Sequence, residues 1–173
     1  MAARLSILNP NPKFQEGPGL LHNLISHAGN EADIAIEFEA YDGTIQSLTY
    51  EQLHHQSDAL AAKLQDLRDE PGQEALWIIP LFIPQSLELY CSQTAVLKAG
   101  AAFCPIANDV PEDRLRFILR DVQSRILLTT SAVKDSLPPL EGITVVTVND
   151  HLHSVCAGLR ANTSKPSDPA YVM

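Results

Sequence analysis

Leu97-Lys98-Ala99-Gly100-Ala101-Ala102-Phe103-Cys104-Pro105-Ile106 reads as the end of one element and the start of the next. Lys98 sets a cation beside the negative pole of a nearly all-apolar helix running from about Gln85, and Gly100 is free to turn left-handed after it. Phe103 and Cys104 then form a short strand that Pro105, lacking an N–H, brings to a stop. A helix that closes on a glycine turn and feeds straight into a buried-type strand is half of a strand-helix-strand crossover.

The other half lies upstream. Ala75-Leu76-Trp77-Ile78-Ile79 is a continuous apolar run of strand length, as a strand covered on both faces requires. Downstream, Pro111 opens a further helix with Glu112 and Asp113 in its first turn and Leu115, Ile118, Leu119 and Val122 on its buried face. Ile126 to Thr129 and Ile143 to Val148 are two more buried-type strands. Strands alternating with helices in this way imply right-handed crossovers and a parallel sheet.

Ahead of that region the rhythm differs. Residues 1–19 are rich in Pro, Gly and Asn and read as an irregular lead-in arm. Leu20, Leu21, Leu24, Ile25 and Ala28 recur at helical spacing up to Gly29-Asn30. Ile34, Ile36 and Phe38 alternate with Ala35, Glu37 and Glu39, and Tyr41-Asp42-Gly43-Thr44 supplies the positive φ of a tight reversal, so a hairpin is expected. In Leu48-Thr49-Tyr50-Glu51-Gln52-Leu53 the Thr49 hydroxyl can cap a helix and Gln52 can reach back to the Thr49 amide. Leu48 and Leu53 stand at the positions of a hydrophobic staple, and the helix continues through Leu60, Ala61, Leu64 and Leu67 until Pro71-Gly72.

Composition bounds the function. Hydrophobic residues make up 45% and charged residues 19% of 173, enough for one domain that buries about 70% of its unfolded surface. A formal charge of -9 disfavours nucleic acid and anionic membranes as partners. With no apolar run of bilayer length and no basic start before an apolar segment, a cytoplasmic protein is expected. Cys91, Cys104 and Cys156 have no C-x-x-C spacing, so buried thiols are expected in place of a disulfide or zinc framework.

The segment from Leu48 to Leu53 resembles the first core motif of adenylation domains, in which Leu-Thr-Tyr leads to Glu-Leu, with Gln52 in place of the usual Glu. The segment from Leu97 to Ile106 is similar to the second and more specific core motif, Leu-Lys-Ala-Gly-x-Ala-Tyr-Val-Pro. Pro111 to Leu115 matches the family's Pro-x-x-Arg-Leu helix start, and Ser124 to Thr129 its next strand; Ala107 departs from the common Asp. The resemblance covers residues 20–173 and implies an α/β fold. It would be a partial N-terminal subdomain of an adenylate-forming ligase, a parallel doubly wound sheet preceded by a β-hairpin and flanking helices. The lead-in from Leu5 to Pro10 and from Gly17 to His22 resembles fungal ferrichrome-type siderophore synthetases among nonribosomal peptide synthetases.

The resemblance implies ATP and Mg as cofactors of the complete family. Its reaction joins an amino-acid carboxylate to the α-phosphate of ATP and passes the acyl group to a phosphopantetheine thiol on a carrier domain. The family's phosphate loop would be expected directly after Asp168-Pro169-Ala170-Tyr171-Val172-Met173. Neither G-x-G-x-x-G nor G-x-x-x-x-G-K-[ST] can be drawn through the glycines present. No catalytic, cofactor-binding or metal residue is therefore assigned, and a truncated piece, inactive by itself, is expected, its enzymatic status left open.

Other residues have plainer readings. Lys98 is explained by the helix dipole. His54 and His55, adjacent on a helix, splay about 100 degrees apart and suit a surface. His151 and His153 lack a third ligand, and Glu37 with Glu39 reads as an exposed polar face. Two rival readings stay open. One is a non-catalytic fragment that complements the rest of a ligase through an uncovered sheet edge, alongside carrier and condensation domains. The other is a stand-alone flavodoxin-like domain with a site at the carboxyl ends of the strands, where Pro80, Pro105 and Thr129-Thr130 stand without a glycine loop.

Overall fold

The computed structural model describes residues 19–26, 28–40, 42–68, 76–154 and 158–173, so the arm before Gly19, the Pro71-Gly72 stop, Ala75 and Cys156 lie outside the described residues. A short helix α1 (Leu21–Ser26) precedes an antiparallel hairpin of β1 (Ile34–Glu39) and β2 (Ile45–Thr49). The reversal is built as expected, with Gly43 at φ +81 and the Asp42 carboxylate accepting from the Thr44 amide at 2.9 Å. The alternation of β1 is broken by a bulge between Ile34 and Ile36, which leaves Ile34 exposed and turns Ala35 and Ile36 toward the core.

Helix α2 (Tyr50–Asp66) starts on the expected capping box: the Gln52 amide donates to Thr49 Oγ1 at 3.2 Å and the Thr49 amide to Gln52 Oε1 at 2.9 Å. Leu48 and Leu53 are both buried in the same cluster, as a staple requires. The alternating region follows as β3 (Ile78–Phe82), α3 (Leu87–Lys98), β4 (Ala102–Pro105), α4 (Glu112–Asp121), β5 (Ile126–Thr129) and β6 (Thr144–Thr147). Its strands are all parallel, in the order β4-β3-β5-β6.

Strand β3 lies three residues further along than the apolar run suggests, and it runs through Pro80. The ladder to β5 begins only at Leu81, so the proline's missing N–H falls before that pairing starts. From β3 the chain moves outward to β4 and then crosses back over β3 to β5. That reversal places α3 and α4 on opposite faces, because alternate strand residues face opposite ways. Ile79, Leu81, Ile126 and Leu128 pack with α2 and α3, whereas Phe82 and Leu127 pack with Leu115 and Leu119 of α4.

Residues 158–172 form a strap that returns across the C-terminal ends of α2 and α3 to the outer edge of β4. There the Phe103 amide donates to the Ala170 carbonyl at 3.1 Å and the Val172 amide to the Phe103 carbonyl at 2.9 Å, a parallel bridge centred on Tyr171.

Candidate functional site

The polar centre of the molecule sits where α1, α2, α3 and the strap meet. Gly100, at φ +86, ends α3 as the fold-deciding segment requires. Its amide donates to the Leu97 carbonyl and that of Ala101 to the Val96 carbonyl, the paired bonds of a Schellman turn. Lys98 occupies the last turn, but its head group does not stay at the helix pole in solvent. The side chain is only 7% exposed, and its Nζ lies 2.6 Å from Asp58 Oδ1 and 3.2 Å from His54 Nδ1, both on α2. The dipole reading accounts for where Lys98 stands in the helix; an ion pair between two helices, buried on the lysine's side, accounts for where its charge goes.

His54 is accordingly half-buried and bonded, not the surface residue its neighbour His55 is. Burial holds its imidazole below the ordinary histidine range, Lys98 adds to this, and Asp58 and Glu31 oppose it. His22 of α1 is held low in the same way, by burial and then by Lys98. A cleft of about 430 Å³ is lined by His22, His54, Asp58, Lys98, Arg160 and Asn162 among others.

The second candidate is the carboxyl end of the parallel sheet. Among the described residues, Asn108 Nδ2, Thr129 Oγ1 and Thr130 Oγ1 are buried side-chain polar atoms without a hydrogen-bond partner, and all three follow or end β4 and β5. Thr129 shares the α4 face with Leu127, and Thr130, next in the chain, turns to the other face. They do not converge on one ligand.

The described residues do not fit an ATP-Mg site. Lys98 is turned inward to Asp58, and the positive-φ glycines Gly19, Gly43, Gly100, Gly142 and Gly158 lie in separate turns instead of one amide-lined loop. Among the described residues no group of three His, Cys, Asp or Glu side chains could hold a metal ion. Glu37 and Glu39 are exposed, and His151 and His153 lie in a turn after β6 where His151 is half-buried beside Lys63. Cys91 and Cys104 are buried free thiols, the first pushed up to about 12 by burial. The Lys98 cluster itself was not legible in the sequence, because its members come from positions 22, 54, 58, 98 and 162.

Residues 27–173 match the model of the AMP-binding enzyme family. The nonribosomal peptide synthetase sidC of Arthroderma benhamiae is 38% identical over 173 residues, which is 98% of this chain and 3% of that protein. The siderophore peptide synthetase fer3 of Mycosarcoma maydis is 37% identical over 145 residues, covering 78% of this chain and again 3% of its own length. The chain thus spans a small part of these curated relatives. Among solved structures, the nonribosomal peptide synthetase FmoA3 matches with a TM-score of 0.66 at 26% identity, over 74% of this chain and 13% of that one. FmoA3 has also been solved with α-methyl-L-serine-AMP and with AMPPNP bound. The N-terminal subdomain of Klebsiella oxytoca NpsA shares the fold with a TM-score of 0.66 at 24% identity, over 87% of this chain and 35% of that one. No helix among the described residues is long and apolar enough to cross a membrane. With its two core motifs forming the α2 cap and the α3-β4 junction, the chain belongs to the AMP-binding enzyme family and corresponds to part of a nonribosomal peptide synthetase adenylation domain.

Proposed function

We propose that this chain is the scaffold portion of an adenylation domain in a siderophore-type synthetase, and that it does not itself activate a substrate. The whole synthetase would join an amino-acid carboxylate to the α-phosphate of ATP, release pyrophosphate and hand the acyl group to a carrier thiol. Its partners would be the remainder of the adenylation domain and the neighbouring carrier and condensation domains. The observation that supports an inactive scaffold is the inward ion pair of Lys98 with Asp58 at 2.6 Å, which commits the lysine of the second core motif to a carboxylate of α2. Phosphate transfer needs a positioned cradle and charge opposite the developing anion, and the described residues supply neither.

Calorimetric titration of the purified 173-residue chain with ATP and magnesium tests this. No stoichiometric heat is expected, and tight one-to-one uptake would overturn the reading. A second reading, complementation of a separate ligase remainder, is favoured by apolar side chains left open on the surface, Leu21 at 49%, Leu24 at 51% and Ile45 at 62% exposure. Recovery of pyrophosphate exchange on mixing the two pieces would support it, and an inert mixture would exclude it.

A further inference from the structure

Asn162 occupies the point where the strap crosses the end of α3. Its Nδ2 donates to the Leu97 carbonyl at 2.8 Å, its Oδ1 accepts from the Ser164 amide at 2.8 Å, and Nδ2 also lies 3.4 Å from His22 Nε2. The carbonyl on one side and the amide on the other fix which way the carboxamide points. Gly100 makes the approach possible, since a Cβ there would stand 3.3 Å from Asn162 Oδ1, in a backbone conformation that side chains rarely adopt. Two residues upstream, Arg160 holds the strap to α2: its amide donates to Gln65 Oε1 at 2.8 Å, and its Nη2 lies 2.6 Å from Asp66 Oδ1. Eight residues beyond Asn162 the strap enters the sheet edge at Ala170–Val172.

We infer that Asn162 is a positioning residue, whose contacts with Leu97 and His22 hold the strap so that the segment around Tyr171 joins β4 in register. It works only while His22 is neutral. Nδ2 carries hydrogens alone, so His22 Nε2 must accept, and a proton there would set donor against donor. The neighbouring pair obeys the same constraint, because His54 Nδ1 faces the Lys98 ammonium. The charged groups around these rings are Lys98 for His22, Lys98, Asp58 and Glu31 for His54, and Arg160 on the strap side of the cleft. Burial and Lys98 both act against ring protonation. With the strap released, His22 loses the donor facing its Nε2 and takes a proton more readily, toward the ordinary histidine value of about 6.5, so the released form binds more protons. Docking is therefore complete above that pH and is lost as the pH falls below it.

The inference rests on the family reading only for what the Tyr171 strand leads into, the position at which the family's phosphate loop is expected. Hydrogen exchange in the 173-residue chain tests the clamp by itself, so its failure would leave the family reading standing. The reporters are the Phe103 and Val172 amides, with the Ala95 amide inside α3 as the reference. Asn162→Ala is expected to lower protection at both reporters about tenfold, as loss of one hydrogen bond to a buried carbonyl should, with Ala95 unchanged. Wild-type protection at the reporters, corrected for intrinsic exchange, should fall between pH 7.5 and 5.5, and His22→Gln should flatten that profile. Unchanged protection in Asn162→Ala, or a profile flat with pH in the wild type, would overturn the inference. Should Asn162→Ala unfold the chain, Asn162→Asp, which keeps the Ser164 bond and removes the donor to Leu97, gives the same reading.

Discussion

The two faces of the parallel sheet are built to different standards. The face under α2 and α3 gathers eighteen buried residues among those described, is sealed by the hairpin and the strap, and encloses the Lys98 ion pair. The face under α4 gathers five, leaves Phe117 49% exposed, and borders a cleft of about 570 Å³ lined by Leu119, Pro139 and Ile143. Burial of this kind contributes roughly 25 cal/mol per Å² of apolar surface, so stability is concentrated on the α3 side. The described chain thus keeps one face finished and the other thin.

Truncating one leucine on each face gives the largest test of this difference. Leu64, fully buried in α2, sits among neighbours that cannot close over a gap, and Leu64→Ala is expected to cost about 4 kcal/mol. Leu119→Ala on the thin face should cost nearer 2 kcal/mol, because fewer packed neighbours surround it and the adjoining cleft can collapse. Urea unfolding of the two variants decides, and equal losses would break the comparison.

The ion pair yields the next effect and separates its two members. Lys98 is 7% exposed at its side chain and Asp58 36%, so only the lysine is trapped when its partner is removed. Asp58→Ala, which strands a buried ammonium, is expected to cost about 3 kcal/mol, whereas Lys98→Met leaves a carboxylate that can turn to water and should change stability by less than about 1 kcal/mol. A larger loss in Lys98→Met than in Asp58→Ala would show that the pair is held for its Coulomb attraction and not tolerated for its desolvation.

Elements written by local chemistry were legible in the sequence. The Thr49-Gln52 box, the Gly43 turn, the Gly100 stop and the opening of α4 at Pro111 each depend on residues within a few positions of one another. Strand β3 was displaced because Pro80 is a breaker by local rules, and only the late start of the ladder to β5 excuses it. The Lys98 cluster stayed hidden for a related reason: a lysine at a helix end is explained twice over, by the dipole and by a distant aspartate, and sequence shows only the first. The functional reading rested on motif resemblance, and the segments that carry it form the α2 cap and the α3-β4 junction.

Helix starts give the smallest contrast between the faces and the sharpest one to measure. Helix α2 has a full capping box, whereas α4 begins at Pro111 with no side-chain cap bond and relies on Glu112 and Asp113 against its dipole. Thr49→Ala removes an acceptor for the Gln52 amide and should cost about 1 kcal/mol. Pro111→Ser supplies an acceptor where none exists, at an extended backbone position with ψ 146 that serine adopts readily. It gives up the rigidity of proline in the unfolded chain, worth about 0.5 kcal/mol, so the net gain should be only about 0.5 kcal/mol. If Pro111→Ser instead destabilises the chain, the proline is fixing the entry angle of α4 onto the sheet, and the thin face depends on its connection more than on its packing.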